Sequence, residues 1–196
     1  MFKVLKQQTR QKLSGDIHIK DRLVSLDELD ARPIKKGKTY PVCEFGTTCQ
    51  MSFNRQGFMI TLDILLGHPN DVTLYPTTLD TYRKRMKGDP TCAVTDCAYR
   101  SGDNFKISES INTVFLGRSN DVSEEKRAYC FSARSATEGF IAVAKSLRGF
   151  KKSRYRGLEG DRIWALLCQC AYNLRKFLQL YRDEALDENT LCNLGL

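Results

Sequence analysis

Every second residue from Phe58 to Leu66 is apolar, and this period of two predicts a β-strand with one apolar face. The run from Glu44 to Phe53 also has strand character, and the polar turn Asn54–Gly57 separates the two runs. Two strand patterns around a turn that contains glycine predict a hairpin. Asp63 falls on the opposite face from the apolar positions, which are Phe58, Ile60, Leu62, Ile64 and Leu66.

A helix is predicted after this hairpin. The segment Gly67–Asp71 breaks the strand, and Asp71 is well placed to cap the residues that follow. Leu79, Tyr82 and Met86 then recur at helical spacing.

A short apolar run, Thr91–Val94, ends close to a single carboxylate, Asp96, and a polar turn with Gly102 and Asn104 follows. We expect a buried strand with Asp96 at its carboxyl end, where open α/β sheets place their chemistry. Weaker patterns predict a helix starting within 1–20, a strand over 22–26, a short helix over 105–111, a strand over 112–116 and a loop over 117–127.

Two further helices are predicted in the last third of the chain. The first covers 135–148, with Ser135 or Thr137 as its cap and Phe140, Ala144 and Leu147 on one face. The second runs from about Asp161 to Leu186. We expect its apolar stripe to pack into the core, as such stripes normally do. The stripe consists of Ile163, Leu167, Cys170, Leu174, Phe177 and Tyr181.

The composition is that of a globular protein with one domain-sized core, since 41% of the 196 residues are hydrophobic and 28% are charged. No apolar stretch is long enough for a membrane-spanning helix or a signal peptide, so we expect a cytoplasmic protein without a membrane partner. The net charge of +8 favours a phosphate-backbone partner. The segment 145–156 contributes six basic residues and no acid: Lys145, Arg148, Lys151, Lys152, Arg154 and Arg156.

The eight cysteines lack the spacing of a zinc site, because no Cys-x-x-Cys pair occurs and the chain has only two histidines, His18 and His68. We therefore interpret the cysteines as reduced, half-buried thiols.

Two acids lie on elements that suit an active site. Asp96 ends a strand, and Glu138, 42 residues later, falls in the first turn of a predicted helix. Two carboxylates with water suit Mg²⁺, and metal-bound carboxylates suit phosphoryl transfer. The alternative is that both acids are solvated, or that Glu138 merely complements a helix dipole.

Four stretches, in order along the chain, resemble the DDE transposases of bacterial insertion sequences. The first is Ala31–Lys38 followed by Glu44–Gly46, the second is Gly67–Leu74 and the third, Thr95–Asn104, surrounds Asp96. The fourth carries the family's Tyr-x₂-Arg-x₃-Glu-x₆-Lys pattern as Phe131, Arg134, Glu138 and Lys145, with phenylalanine in place of tyrosine. Tyr155–Glu159 and Ala171–Arg175 resemble its C-terminal helices, so the resemblance covers about residues 20–180.

The resemblance implies an α/β, RNase H-like fold with a mixed sheet flanked by helices. It further implies Mg²⁺- or Mn²⁺-dependent DNA cleavage and strand transfer, with Asp96 and Glu138 as catalytic metal ligands. Arg134 and Lys145 would contact DNA, with the remaining basic residues of 145–156 as further DNA contacts. Lys145 lies two helical turns after Glu138, hence on the same face.

One part of the family pattern is not found: an upstream aspartate on a first strand. Asp16, Asp21, Asp27 and Asp30 lack an apolar strand context, and Asp63 is an alternative candidate on a later strand. We therefore expect a C-terminal portion of a transposase that lacks its first strand, is inactive alone and exposes an aggregation-prone sheet edge. It would be a truncated remnant or the second half of a split product.

This interpretation predicts an N-terminal arm over 1–40, a partial catalytic domain over 41–182 and a tail over 183–196. Its partners would be DNA, the upstream half of the transposase and a second copy of the chain. The alternatives are a non-catalytic DNA-binding remnant and an interaction module held by metal-bound cysteines.

Overall fold

The computed structural model describes residues 2–15, 22–25, 27–35 and 43–182. The helices are α1 (Phe2–Ser14), α2 (Asp71–Met86), α3 (Gly102–Lys106), α4 (Glu124–Leu147) and α5 (Gly157–Arg182). The strands are β1 (Arg32–Lys35), β2 (Cys43–Phe53), β3 (Met59–Leu66), β4 (Cys92–Thr95) and β5 (Thr113–Leu116). Single 3₁₀ turns follow β4 at Cys97–Tyr99 and β5 at Ser119–Asp121.

The strands form two sheets, one with the order β1-β2-β3 and one that pairs β4 with β5 in parallel. The predicted hairpin is β2 and β3. The strand predicted before Asp96 is β4, but its four residues are half-buried instead of buried. The architecture is mixed α/β and consistent with an RNase H-like fold. The chain divides into two compact units.

The first unit comprises Met1–Cys49, Asp63–Pro69 and Ser153–Ala165. In it, β1 runs antiparallel to the start of β2. Two acids from the segment before β1 hold the first turn of α5. The Glu28 carboxylate accepts the Gly157 N–H at 3.0 Å, and Asp30 accepts the Leu158 N–H at 2.8 Å. These carboxylates satisfy N–H groups that a helix start leaves without an intrahelical partner.

The second unit comprises Gln50–Leu62, Asn70–Lys152 and Leu166–Leu196. Its core cluster joins α2 to the parallel strand pair, through Tyr75, Leu79, Ile111 and Leu116. Helix α5 is fixed to β3 by two amide side chains, because Gln169 Nε2 and Asn173 Nδ2 both donate to the Met59 carbonyl, at 2.9 and 3.0 Å.

Two helix starts differ from the predictions. The N-cap of α2 is Asn70, whose side chain accepts the Val72 N–H at 3.0 Å, and Asp71 lies in the first turn. Helix α4 begins at Glu124 instead of 135, so the predicted loop over 117–127 ends at its first turn. Ser135 and Thr137 are therefore interior residues, and Glu138 is not in a first turn. The acids Glu124 and Glu125 occupy that turn, where the helix dipole favours them.

The apolar stripe of α5 was wrongly predicted to be core. The buried face of the helix consists of Ala165, Cys168, Gln169 and Tyr172. At 100° per residue the predicted stripe lies on the opposite side, and Leu167, Leu174 and Tyr181 are 51%, 60% and 67% exposed. Amide hydrogen bonds to β3 fix the helix with its small and aromatic face inward. The helix begins at Gly157, and the predicted end at Leu186 lies outside the described residues.

Some of the other short predictions are confirmed and others are wrong. Helix α1 confirms the helix predicted within 1–20, and strand β5 confirms the strand predicted over 112–116. Residues 22–25 are not a strand, and Leu26 lies outside the described part. The short helix α3 covers Gly102–Lys106 rather than 105–111. In β3 the alternation is incomplete, because Met59 and Thr61 are also buried, at 1% each, while Leu66 is 43% exposed.

Candidate active site

A cavity of about 280 Å³ in the second unit contains both predicted acids in its lining, together with Arg134. Residues Gln50–Phe53 of β2 and Cys92–Thr95 of β4 form two of its walls. Side chains from α2 and α4 complete the lining. Asp96 and Glu138 are thus brought to one cavity from positions 42 residues apart.

Asp96 follows the last residue of β4 and caps the 3₁₀ turn. Its Oδ1 accepts the Ala98 N–H at 2.7 Å, which fixes one carboxylate oxygen at the end of the strand. The side chain is exposed. The carboxylate is therefore oriented by the backbone while it stays accessible to a ligand.

Gly117 packs against this turn and was missed by the sequence analysis. It follows β5 with φ +87°, and an added Cβ would lie 2.2 Å from the Cys97 backbone nitrogen. The end of β5 therefore approaches Asp96 more closely than any side chain allows. A glycine directly after an apolar strand was the available signal.

Asn104 holds the same turn from the other side and is a buried residue of α3, not a simple turn residue. Its Nδ2 donates to the carbonyls of Tyr99 at 2.7 Å and Val72 at 3.0 Å. Val72 lacks its usual helical donor, because the residue four positions later in α2 is Pro76. The Asn104 amide therefore supplies the donor that the proline removes, and it ties α2 to the turn after Asp96.

Tyr99 also belongs to the cavity wall. Its hydroxyl donates to Gln50 Oε1 at 2.9 Å, which links the 3₁₀ turn to β2. Burial raises the pKa of Tyr99, while the hydrogen bond to Gln50 lowers it. The group is a neutral positioning residue at ordinary pH.

Asp121, in the turn after β5, was also missed. Its side chain is 1% exposed and pairs with Arg100. It accepts the N–H groups of Leu116 at 2.9 Å and Arg118 at 3.1 Å. Arg100 in turn lies over the Phe105 ring, 4.9 Å from its centroid. This ion pair fastens the end of β5 to the segment after Asp96.

Glu138 lies in the middle of α4 with its side chain 70% exposed. Arg134, one turn earlier, places its Nε 3.7 Å from Glu138 Oε1. Such an exposed pair is worth well under about 1 kcal/mol, so it leaves the carboxylate available. Phe131, one turn before Arg134, packs its ring against Phe115 at 5.3 Å, which is a contact that needs no hydroxyl.

The other predicted site residues lie elsewhere. Lys145 is exposed on α4 and is not part of the cavity lining. Lys151 and Lys152 are exposed and Arg148 is half-buried, all after the end of α4. Arg154 and Arg156 are exposed residues of the first unit, with Arg154 over the Trp164 ring at 5.5 Å. Asp63 is also in the first unit, half-buried on β3, and its role as a ligand stays a prediction.

Within residues 2–15, 22–25, 27–35 and 43–182, no group of three or more His, Cys, Asp or Glu side chains is placed to hold a metal ion. The cysteines at 92, 97, 130, 168 and 170 are free thiols. Desolvation raises the pKa of Cys92 to about 11. Two carboxylates at one cavity still fit Mg²⁺, which is commonly held by one or two carboxylates and several waters.

Comparison with protein families decides the ancestry. The family described as the transposase DDE domain matches residues 28–174. The chain belongs to this transposase family. Membership implies a function in DNA transposition and the binding of DNA, and DDE transposase domains generally use divalent metal ions.

The same comparison agrees with the RNase H-like interpretation of the fold. The searches of curated proteins and of solved structures found no match. None of the helices in the described part of this transposase chain is long and apolar enough to cross a membrane.

Proposed function

We propose that this chain carries part of a transposase active site in which Asp96 and Glu138 hold Mg²⁺ or Mn²⁺ for DNA cleavage and strand transfer. The observation that carries the proposal is that the two acids, on different elements, line one cavity. The ion, when bound, would polarise the scissile phosphate and favour the attacking oxygen.

The protein's own side chains have separate tasks in this proposal. Asp96 presents its carboxylate with one oxygen fixed by the Ala98 N–H. Glu138 approaches from α4, and Arg134 beside it offers a positive charge to a phosphate oxygen. Lys145 and the basic residues after α4 would contact the DNA backbone.

Metal binding by these two acids can be tested without any catalytic activity. Mn²⁺ added to isotopically labelled protein should broaden the NMR signals of amides near the cavity, including Ala98. Asp96→Asn and Glu138→Gln should abolish the broadening, because each removes a charged ligand. The control is Asp103→Asn, an acid whose side chain is 90% exposed in α3. Broadening that persists in both cavity variants would exclude the site.

We further propose that a third carboxylate is required and that the chain alone does not cleave DNA. The described residues include no group of three His, Cys, Asp or Glu side chains that could hold a metal ion, which supports this proposal. An upstream half of the transposase would supply the acid, with Asp63 as the alternative source. Mg²⁺-dependent cleavage of an element-end DNA should then appear when the upstream half is added. No cleavage in that mixture would overturn the catalytic proposal.

A non-catalytic DNA-binding remnant is the second candidate, and the same observation on ligand groups favours it. Lys151→Gln with Lys152→Gln should weaken DNA binding and reduce its salt dependence, by a log–log slope of about 0.9 for each lost phosphate contact on duplex DNA. Lys106→Gln, which removes a lysine side chain that is 75% exposed, is the control. An unchanged salt dependence in the double variant would exclude this patch.

The origin in a bacterial insertion sequence, a cytoplasmic location and assembly with a second copy complete the proposal. The division into an arm over 1–40, a catalytic portion over 41–182 and a tail over 183–196 belongs to it as well.

A further inference from the structure

Two cysteine thiols meet beside the cavity, one on β4 and one on α4. Cys92 is the first residue of β4, where it is half-buried and lines the cavity. Cys130 belongs to α4 and is 0% exposed. Both thiols are free, and a hydrogen bond joins them. The two sulfur atoms are therefore neighbours, although the residues lie 38 positions apart in the chain.

The side chain of Cys92 lies on the face of its strand pair that α4 covers. In the register of the parallel pair, Cys92 lies beside Thr113. Thr113 and Phe115 share one face of β5, because successive side chains of a strand point to opposite faces. Phe115 packs its ring against Phe131 of α4 at 5.3 Å. The contact between Cys92 and Cys130 thus follows from the placement of a regular strand against a regular helix.

Cys130 lies on the side of α4 that faces the cavity. Arg134, Thr137 and Ile141 follow it by 4, 7 and 11 residues, and all three line the cavity. At about 100° per residue, these offsets keep them within about 40° of Cys130 around the helix axis. A bond between the two sulfurs would therefore join the strand that leads to Asp96 to the cavity-facing side of α4.

A lysine lies next to the thiol pair. Lys126 precedes Cys130 by one turn of α4, and its Nζ donates to Thr113 Oγ1 at 3.0 Å, beside Cys92. Burial raises the pKa of both thiols, that of Cys92 to about 11, and the charge of Lys126 lowers both in part. Only a thiolate attacks an oxidant, so the pair should react slowly, and the lysine supports the reactivity that it has.

We propose that Cys92 and Cys130 form a modification site, at which a hydroperoxide generates a disulfide between β4 and α4. Cys92 reacts first, because it lines the cavity while Cys130 is fully buried. Its thiolate attacks one oxygen of hydrogen peroxide, the O–O bond breaks, and a sulfenic acid and one water result. The Cys130 sulfur then attacks the sulfenic sulfur, which forms the S–S bond and releases a second water. Two electrons pass from the sulfurs to the peroxide, and the two thiol protons end in the waters.

The thiol pair is independent of the proposed function, since neither sulfur serves there as a ligand. The disulfide would form whether or not Asp96 and Glu138 bind a metal, and its detection requires neither metal nor DNA.

Peptide mapping of the full chain provides the first test. Dilute reduced protein is treated with hydrogen peroxide for minutes to hours, alkylated, digested without reductant and analysed by mass spectrometry. The main intramolecular product should be the peptide pair that is joined through Cys92 and Cys130. Oxidised Cys92 with any other partner, or oxidation confined to the exposed Cys97 and Cys170, would overturn the proposal.

The second test follows stability with and without peroxide. A disulfide between residues 38 positions apart should raise the midpoint of urea denaturation by about 1–2 M, and a reductant should reverse the rise. Cys130→Ala should abolish the rise and leave Cys92 as a sulfenic acid that dimedone labels. The control is Cys168→Ala, which removes another buried thiol from α5 and should keep the rise. A rise that persists in Cys130→Ala would contradict the pairing, and the peptide map of the parent chain gives its answer without any variant.

Discussion

The replacement of Asn104 by alanine tests how the turn after Asp96 is held. The substitution removes two hydrogen bonds and leaves the carbonyls of Val72 and Tyr99 without their donor. The Asn104 side chain is 2% exposed, so water cannot substitute freely. At about 1–3 kcal/mol for each buried group left unsatisfied, the free energy of unfolding should fall by about 2–6 kcal/mol.

Pro76 makes this prediction more specific. In the Pro76→Ala background an N–H becomes available to the Val72 carbonyl through an ordinary helical bond. Asn104→Ala should then cost about 1 kcal/mol less than in the parent chain. Only the Val72 bond is replaced, so the loss at Tyr99 should remain.

The assay is urea denaturation monitored by circular dichroism. It compares the four proteins of this double-mutant cycle, which are the parent chain, Pro76→Ala, Asn104→Ala and the double variant. Asn112→Ala, at an exposed position before β5, is the control and should change stability by less than about 0.5 kcal/mol. A coupling energy of zero between positions 76 and 104 would refute the account of Val72. A cost below about 1 kcal/mol for Asn104→Ala would refute the role of the amide altogether.

Three further predictions concern other parts of the second unit. Gly117→Ala should destabilise the protein by more than about 2 kcal/mol, because a positive φ and a Cβ contact of 2.2 Å with backbone combine there. In thiol labelling at pH 8, Cys97 should react well before Cys92, because burial raises the pKa of Cys92 to about 11 and Cys97 is exposed. The hydrogen bond from Arg83 lowers the pKa of Asp89, so Arg83→Gln should raise that pKa in an NMR titration. The pKa of Asp89 is lower in the folded protein than in the unfolded chain. Any stability that this pair contributes is therefore fully present above the ordinary aspartate pKa of about 4. It is lost as the pH falls below that value and through the lower pKa of the folded state.

Each of these predictions has its own check. Gly139→Ala, on the exposed surface of α4 with open space around it, is the control for Gly117 and should be neutral or stabilising. Labelling of Cys92 as fast as Cys97 would show that its wall of the cavity is open to solvent. An Asp89 pKa that stays low in Arg83→Gln would assign the shift to Ser110, the second donor to this carboxylate.

The strands that border the site could be predicted because their patterns are local. β3 and β4 are apolar runs bounded by glycine and polar turns, and Asp96 follows directly from the end of β4. The start of α4 could not be found in the same way, because Ser135 and Thr137 have the side chains of caps although they lie within a helix. Glu138 was therefore correctly associated with a helix but assigned to the wrong turn.

Tertiary contacts determined what the sequence pattern missed. The orientation of α5 depends on Gln169 and Asn173 reaching the Met59 carbonyl, and neither polar residue marks an inner face by hydrophobicity. In the same way, the asparagine at position 104 is a residue type that is typical of turns. Its buried role depends on a proline 28 positions earlier, in a different helix.

The capping of α5 by Glu28 and Asp30 has a consequence for the order of folding. The hydrogen bonds join residues 129 and 128 positions apart. Closing so long a loop costs entropy before any contact forms, so these bonds belong to the late steps of folding. On the ribosome, the acids would emerge long before the helix start that they stabilise. During that interval their carboxylates have no helix to cap, and the first unit can be completed only after Ala165 has been synthesised.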